Sequence, residues 1–270
     1  IQQELNNFSI PRTSFLSIDQ RPYLPGSSVK GSLRTAYLNL LEKKKKLAVK
    51  KGGFKNNKQL EHELMDNSGI QDDPFRLVKV SDFLPVGDVK TKIIYGVNKK
   101  KRVTEKEPRG IPLLFETTEP GSIFEGLISV EIPEKGSGIK QPVHLDLLLK
   151  SATEFYLSEK NREDQELSVV GISSSFQCDN NTTLLRCGRH SGAESVTVKG
   201  HRSIKIMGER GERPNYKPKA TTFWLVSDEK RPTPKNLSPF GWSALYEMKD
   251  KLFKEFSDRE QKYQDKIIKD

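Results

Sequence analysis

The sequence predicts an α+β fold that contains ferredoxin-like βαββαβ units. Three observations lead to this prediction. Short segments of alternating polarity have the length of strands, Gly- and Pro-containing turns separate them, and segments of helical periodicity are interspersed among them. Strands and helices mixed in this way, with neighbouring strands close enough to form antiparallel hairpins, favour ferredoxin-like units over a doubly wound parallel sheet.

The N-terminal elements follow from local periodicity. Apolar residues at helical spacing predict a helix over 28–47. Alternation then predicts strands over 77–83 and 91–97, and the lysines and arginine that follow predict a basic turn at 98–102.

The later elements are predicted in the same manner. The segments 111–118 and 123–132 flank a Pro-Gly-Ser turn and are predicted to pair as a hairpin. A helix is expected from 144 to 157, and a strand from 221 to 226. From Trp242 onward the sequence predicts a long charged helix whose apolar stripe packs on the protein's own sheet.

The composition indicates an acidic partner. The chain has 270 residues, and its 46 Lys and Arg exceed its 36 Asp and Glu, so that the net charge is +10 and the pI is near 9.4. Such an excess is typical of proteins that bind nucleic acid or an acidic protein. No apolar run approaches the ~20 residues that span a bilayer, so no membrane partner is expected.

The two cysteines, Cys178 and Cys187, are too few for a disulfide framework and lack the spacing of metal ligands. No metal or cofactor is therefore predicted. A reducing, cytoplasmic compartment is the expected location.

The segment PGSSVKGSLR at 25–34 spaces its two glycines as a phosphate-binding P-loop does. A P-loop needs Lys and then Ser or Thr after its second glycine, and Ser32 and Leu33 stand at those places. The segment therefore argues against nucleotide hydrolysis.

The same segment is nevertheless suited to an anion. Ser27 or Ser28 is predicted to cap the helix, which leaves first-turn N–H groups free at the positive end of the helix dipole. Lys30 and Arg34 lie one turn apart, away from the apolar stripe. The segment is thus a predicted phosphate site, with an ordinary capped helix as the alternative.

A second basic segment, LLRCGRHSG at 184–192, has two glycines that bracket Arg-His-Ser. Glycines permit a close approach of the backbone to a ligand, and arginines can fork onto phosphate oxygens. Across 186–219 there are nine Lys or Arg and three Glu. We predict a second phosphate site here, and a mobile basic surface loop is the alternative.

These segments resemble those of a known family. PYLPGSSVKGSLR at 22–34 is similar to the signature of the RAMP superfamily of CRISPR proteins, and TEPGSIFEG at 118–126 is similar to another of its strand-turn elements. LLRCGRHSG at 184–192, TTFWLV at 221–226 and PFGWSALYE at 239–247 resemble the fifth subunit of the type III-A Csm effector complex.

The resemblance implies tandem ferredoxin-like, RRM-related domains over 1–137 and 138–270, the first of them without its first strand. It also implies an RNA-binding, structural subunit that caps the Csm backbone at the 3′ portion of the CRISPR RNA. Maturation of that 3′ end with the help of host nucleases is a further implication. The implied partners are the CRISPR RNA and neighbouring Csm subunits.

Residue chemistry and the resemblance together predict a set of RNA-backbone contacts, which suit a guide subunit because they do not depend on base sequence. The set comprises Gly26, Ser27, Ser28, Lys30, Gly31, Arg34, Arg186, Gly188, Arg189, His190, Ser191 and Gly192.

Three other functions remain open at this stage. In a metal-independent endoribonuclease that processes CRISPR RNA, His190 or His201 would serve as general base or acid toward a ribose hydroxyl. Asp82 could belong to a metal-dependent nuclease, but a lone Asp at a strand end is more typical of a cap or turn. A protein-only scaffold would leave both glycine segments dispensable.

Overall fold

The computed structural model describes residues 10–49, 57–103, 113–174, 176, 182–207, 211 and 213–269. Its helices are α1 Gly26–Lys45, α2 Asn57–Met65, α3 Leu145–Val169 and α4 Asp250–Lys269. Its strands are β1 Val78–Val80, β2 Leu84–Pro85, β3 Thr91–Lys100, β4 Leu113–Thr118, β5 Phe124–Glu125, β6 Ile128–Val130, β7 Thr183–Arg186, β8 Ile204–Ile206, β9 Asn215–Lys217, β10 Thr222–Ser227 and β11 Trp242–Leu245.

The predicted α+β class is confirmed. Every strand pair is antiparallel, and the largest sheet in the described part of the chain has three strands in the order β10-β3-β4. The other pairs are β1–β6, β2–β5, β7–β11 and β8–β9. Small antiparallel sheets beside long helices agree with the α+β prediction, and the finer division into tandem ferredoxin-like domains stays a prediction.

The main core lies between α1 and α3. Leu33 of α1 and Leu148 of α3 are fully buried in it, together with Leu184 of β7. The Tyr156 hydroxyl of α3 donates a hydrogen bond to the Ser32 carbonyl oxygen at 3.1 Å. This core contains residues from both sides of position 137, so it joins the two predicted domains.

A second core cluster joins the end of α3 to the three-stranded sheet. Leu167 and Ile172 pack with Phe223 and Leu225 of β10, and Val97 of β3 adds to the cluster. One face of the sheet is therefore covered, at β10 and β3, by the end of α3 and the residues that follow it.

One turn prediction and one hairpin prediction are wrong. The basic turn expected at 98–102 is in part strand, because β3 continues to Lys100 and pairs there with Thr222 of β10. The expected hairpin of 111–118 with 123–132 does not form among the described residues. β4 pairs with β3, whereas the later segment is split into β5, on β2, and β6, on β1.

The split at 123–132 has a steric reason. Gly126 lies against the ring of Phe83, where a Cβ atom would come within 2.6 Å of a ring carbon. This close approach lets the chain change partners between β5 and β6.

Two helix predictions are also wrong. α3 continues to Val169, beyond the predicted end at 157, because its polar second half is held in ion pairs. The last helix begins at Asp250, and Trp242–Leu245 forms β11 on β7. None of the residues of α4 is buried, so the expected packing of its apolar stripe on the sheet is wrong.

The helix α4 is attached to the rest of the protein mainly by polar contacts. Glu260 accepts two hydrogen bonds from Arg21, at 2.9 Å each, and Tyr263 lies 4.1 Å from the Arg21 guanidinium. Burial disfavours ionisation of Glu260, but the hydrogen bonds from Arg21 and from the Gly87 N–H outweigh it and lower its pKa to about 2. Within the described ranges, no helix combines the length and the apolar character that crossing a membrane requires.

Candidate nucleic-acid interface

The start of α1 is already bound to the protein's own strand end. The helix begins at Gly26, one or two residues before the predicted caps, and Pro25 at the cap position has no side-chain bond to it. Gly26 N–H instead donates to Asp82 Oδ1 at 2.8 Å. The predicted capping by Ser27 or Ser28 is therefore wrong, and Asp82 has the structural role that its position after β1 indicated.

The two glycines of this segment have different surroundings. A Cβ atom on Gly26 would lie 2.3 Å from the Ser81 carbonyl oxygen, so the helix start can approach the strand end only without a side chain. Gly31 is exposed, and a Cβ atom there would meet nothing within 4 Å. Packing within the described chain explains Gly26 and does not explain Gly31.

The cations of the first segment are engaged inside the protein. Lys30 Nζ donates to the Val78 carbonyl oxygen at 2.8 Å, and burial, followed by repulsion from Lys79, lowers its pKa. Arg34 forms ion pairs with Glu61 at 2.6 Å and with Asp73 at 2.9 Å. Both side chains would have to leave these partners to reach an RNA phosphate.

Ser32 brings the two predicted segments together. Its hydroxyl donates to the Arg186 carbonyl oxygen at 2.8 Å, and its oxygen lies 3.4 Å from Cys187 Sγ. Burial raises the pKa of the Cys187 thiol, which keeps it protonated. The start of α1 and the end of β7 are thus neighbours, although about 150 residues separate them in the chain.

Arg186 is an internal residue. It is 2% exposed, its guanidinium donates to Glu163 at 2.6 Å, and it lies 4.4 Å from the centre of the Trp242 ring. Trp242 Nε1–H donates to the same Glu163 oxygen at 2.6 Å. Arg186 therefore holds β7, α3 and β11 together, and the structure does not present it to an RNA strand.

The residues that follow, 187–192, form a loop with a fixed backbone, named here the glycine loop. Gly188, His190 and Gly192 all have left-handed backbone angles, with φ of 94°, 64° and 88°. The Cys187 N–H donates to the Gly241 carbonyl oxygen at 2.8 Å, and the Ser191 hydroxyl donates to the Gly188 carbonyl oxygen at 2.9 Å. Positive φ is costly at a non-glycine residue such as His190, so the surrounding contacts must hold it there.

The glycine loop places the His190 ring on the opposite face of the three-stranded sheet, the face that carries Trp224 and Phe115. The ring centre lies 4.5 Å from that of Trp224 and 6.0 Å from that of Phe115. Phe115 also contacts Phe240, with ring centres 5.6 Å apart. These four residues are named here the aromatic cluster, and all except Phe115 are partly exposed.

The charge of the glycine loop differs from residue to residue. Burial, followed by repulsion from Arg189, lowers the pKa of His190, so its ring is neutral at pH 7. Arg189 is exposed, and no ion pair or hydrogen bond of its guanidinium occurs within the described ranges. Of the cations predicted to contact RNA, Arg189 is the one that the structure presents to solvent without a partner there.

Only part of the remaining basic charge at 186–219 is neutralised internally, since Lys199, Lys205, Arg213, Lys217 and Lys219 are exposed. Arg202 donates to Glu159 of α3 at 2.8 Å, and Glu194 pairs with Lys101 at 2.7 Å. His201 is also internal, with Nε2 at 3.1 Å from Glu42 Oε1. His190 and His201 thus have separate environments and do not form a pair of catalytic groups.

The prediction from sequence missed Trp224 and Asn98, which face each other across β10 and β3. The signal was present in the strand itself, since Trp224 stands between the buried Phe223 and Leu225. Alternation alone places it on the other face of the sheet. Within the described residues no cluster of His, Cys, Asp or Glu could hold a metal ion.

A protein-family model matches part of the chain. The profile of the RAMP superfamily matches residues 10–171, a range that includes α1 and α3 and ends before the glycine loop. No curated protein matches the chain.

The solved structures that are similar to it include two of Csm proteins. One is a chain of the cryo-EM structure of a Csm–crRNA–target RNA ternary complex of a type III-A CRISPR-Cas system, with 19% identity, 88% of this chain and 76% of that chain covered, and a TM-score of 0.51. The other is the crystal structure of T. onnurineus Csm5, with 21% identity, 69% and 66% covered, and a TM-score of 0.48. The first similarity shows a shared fold.

Proposed function

Because this chain belongs to the RAMP superfamily, we propose that it is an RNA-binding, structural subunit of a type III-A Csm complex. In this proposal it caps the complex backbone at the 3′ portion of the CRISPR RNA, assists maturation of that end and contacts neighbouring Csm subunits. Host nucleases would act on the RNA end that it holds, in the cytoplasm. The fold that it shares with a chain of a Csm–crRNA–target RNA complex supports this proposal.

We further propose that the chain consists of two RRM-related halves, 1–137 and 138–270. Each half has one long helix that packs on an antiparallel strand pair, α1 on β1–β6 and α3 on β7–β11. A repeated helix-on-strand unit of this kind is the arrangement expected of tandem domains.

The observation that carries the RNA-binding proposal is the glycine loop. It presents the Arg189 guanidinium on a backbone that is held in place by Gly241 and by the left-handed residues around it. Guanidinium and backbone N–H groups bind phosphate oxygens whatever the base sequence. A guide-RNA subunit needs such contacts, because the spacer sequence varies.

The test is RNA binding at a series of salt concentrations. With Arg189→Gln, single-stranded RNAs of unrelated sequence should all bind more weakly. The slope of log affinity against log salt concentration should become shallower by about one, the value for one lost phosphate contact. Arg231→Gln, in the exposed turn after β10, is the matched control and should leave both quantities unchanged. Unchanged affinity and salt dependence in Arg189→Gln would refute this interface.

The endoribonuclease alternative is favoured by one observation, the neutral imidazole of His190 next to Arg189. An enzyme would cleave repeat-derived RNA in EDTA, and the product would disappear with His190→Ala. We expect no product in EDTA or in magnesium. Cleavage that depends on His190 would replace the structural role by a catalytic one.

A further inference from the structure

We propose that Trp224, next to His190, is a stacking site for an unpaired RNA base, with Arg189 and Lys100 placed to hold the phosphates on either side. This inference rests on the proposed RNA-binding function. It extends that function, because the protein would bind the flat faces of RNA bases in addition to the RNA backbone.

The two faces of the three-stranded sheet carry different side chains of β10. Residues directly opposite each other on paired strands project to the same face. Phe223 and Leu225 lie on the face that α3 covers. Trp224 and its cross-strand partner Asn98 therefore lie on the other face, where Trp224 is only partly buried.

Polar groups beside Trp224 are available to a ligand. Neither the Trp224 indole N–H nor the Asn98 side-chain amide makes a hydrogen bond to any described residue. Asn98 stands directly opposite Trp224 in the register. An indole surface with a free amide beside it can stack on a base and hydrogen-bond to its edge.

The charges around the aromatic cluster favour nucleic acid over an apolar protein surface. Lys100 follows Asn98 on the same face, opposite Thr222, and Arg189 adjoins His190 on the glycine loop. The nearby carboxylates have cationic partners of their own, Asp228 with Lys92 and Glu194 with Lys101. Partly exposed aromatic rings among unneutralised cations are typical of sites that bind single-stranded nucleic acid.

The His190 ring is fixed before any ligand binds. Its left-handed backbone and the glycines on both sides direct it onto Trp224, with ring centres 4.5 Å apart. Because the imidazole is neutral, it adds flat surface without an additional charge. A site that is ordered in advance loses less entropy when a base stacks on it.

The test compares Trp224→Leu with Trp224→Phe, since leucine keeps an apolar side chain without a flat ring and phenylalanine keeps the ring. The probes are a short single-stranded RNA that carries one 2-aminopurine and inorganic polyphosphate, which has the charge without bases. We expect Trp224→Leu to bind the RNA about tenfold more weakly and Trp224→Phe to retain most of the affinity. Polyphosphate binding should be the same in all three proteins.

A second readout is the fluorescence of 2-aminopurine, which stacking quenches. Wild-type protein should quench it and Trp224→Leu should not, and circular dichroism with thermal melting checks that the variants fold. If wild type binds the RNA without quenching, or Trp224→Leu binds it as tightly as wild type does, the stacking site is refuted while RNA binding stands. If wild type binds no RNA at all, the proposed function fails together with this inference.

Discussion

The start of α1 and the segment 184–192 have similar sequences, each with two glycines, serine and two cations, and the structure uses them differently. At α1, the helix end is bound by Asp82, and Lys30 and Arg34 have partners inside the protein. In the second segment, Arg186 is buried on Glu163, but Arg189 is exposed. Two segments that predict the same phosphate chemistry thus differ in what they offer to a ligand.

The difference comes from acidic residues far away in the chain. Glu61 and Asp73, which hold Arg34, lie 27 and 39 residues from it. Glu163 lies 23 residues before Arg186. A cation is available to RNA only if the fold brings no carboxylate to it, so the number of cations in a segment overestimates the binding surface.

The largest expected effect is on the free energy of unfolding, and it distinguishes Arg186 from Arg189. Arg186→Gln should lower the free energy of unfolding by about 3–5 kcal/mol, because Glu163 would be left buried without its cation. Urea denaturation measures the change, and Arg189→Gln is the control, with a change within about 0.5 kcal/mol. If Arg186→Gln were as stable as wild type and showed a weaker salt dependence of RNA binding, Arg186 would be an RNA contact as the sequence predicted.

A smaller effect on stability distinguishes the two glycines of α1, Gly26 and Gly31. Gly26→Ala should lower the stability by about 1–3 kcal/mol, because its Cβ atom would collide with the Ser81 carbonyl oxygen. Gly31→Ala should raise the stability by about 0.5–1 kcal/mol, because alanine favours the helix and meets no neighbour. Thermal melting of the two variants tests this difference in sign, and equal changes would contradict it.

The same pair of variants examines whether RNA reaches α1. Weaker RNA binding by Gly31→Ala, in spite of its greater stability, would mean that the RNA backbone passes close to this helix face. RNA binding equal to that of wild type would restrict the interface to the glycine loop and the aromatic cluster.

A further small effect concerns Arg34. Its ion pairs with Glu61 and Asp73 are partly exposed to solvent, so Arg34→Gln should lower the stability by only about 1 kcal/mol. The salt dependence of RNA binding should stay the same, as measured by fluorescence anisotropy alongside Arg189→Gln. If the slope of log affinity against log salt concentration became shallower by about one in Arg34→Gln, the start of α1 would be a phosphate site after all. The contrast between the start of α1 and the segment 184–192 would then be weaker.

Elements with strong local periodicity were predicted well. α1 was expected over 28–47 and lies at Gly26–Lys45, and β10 was expected over 221–226 and lies at Thr222–Ser227. The errors occurred where a distant strand decided the outcome. The lysines of 98–100 belong to β3 because β10 pairs with them, and Trp242 begins a strand because β7 is its neighbour.

The sequence by itself determined the α+β class, the basic excess and the two glycine segments, because these depend on composition and on residues a few positions apart. Only the tertiary structure decided that Arg186 is buried, that Arg189 is exposed and that His190 lies on Trp224. Burial and ion pairing depend on which distant segments meet, and a carboxylate removed from its cation in sequence can still neutralise it in space. For this reason the two segments could be located in advance, but the side chains that face an RNA strand could not.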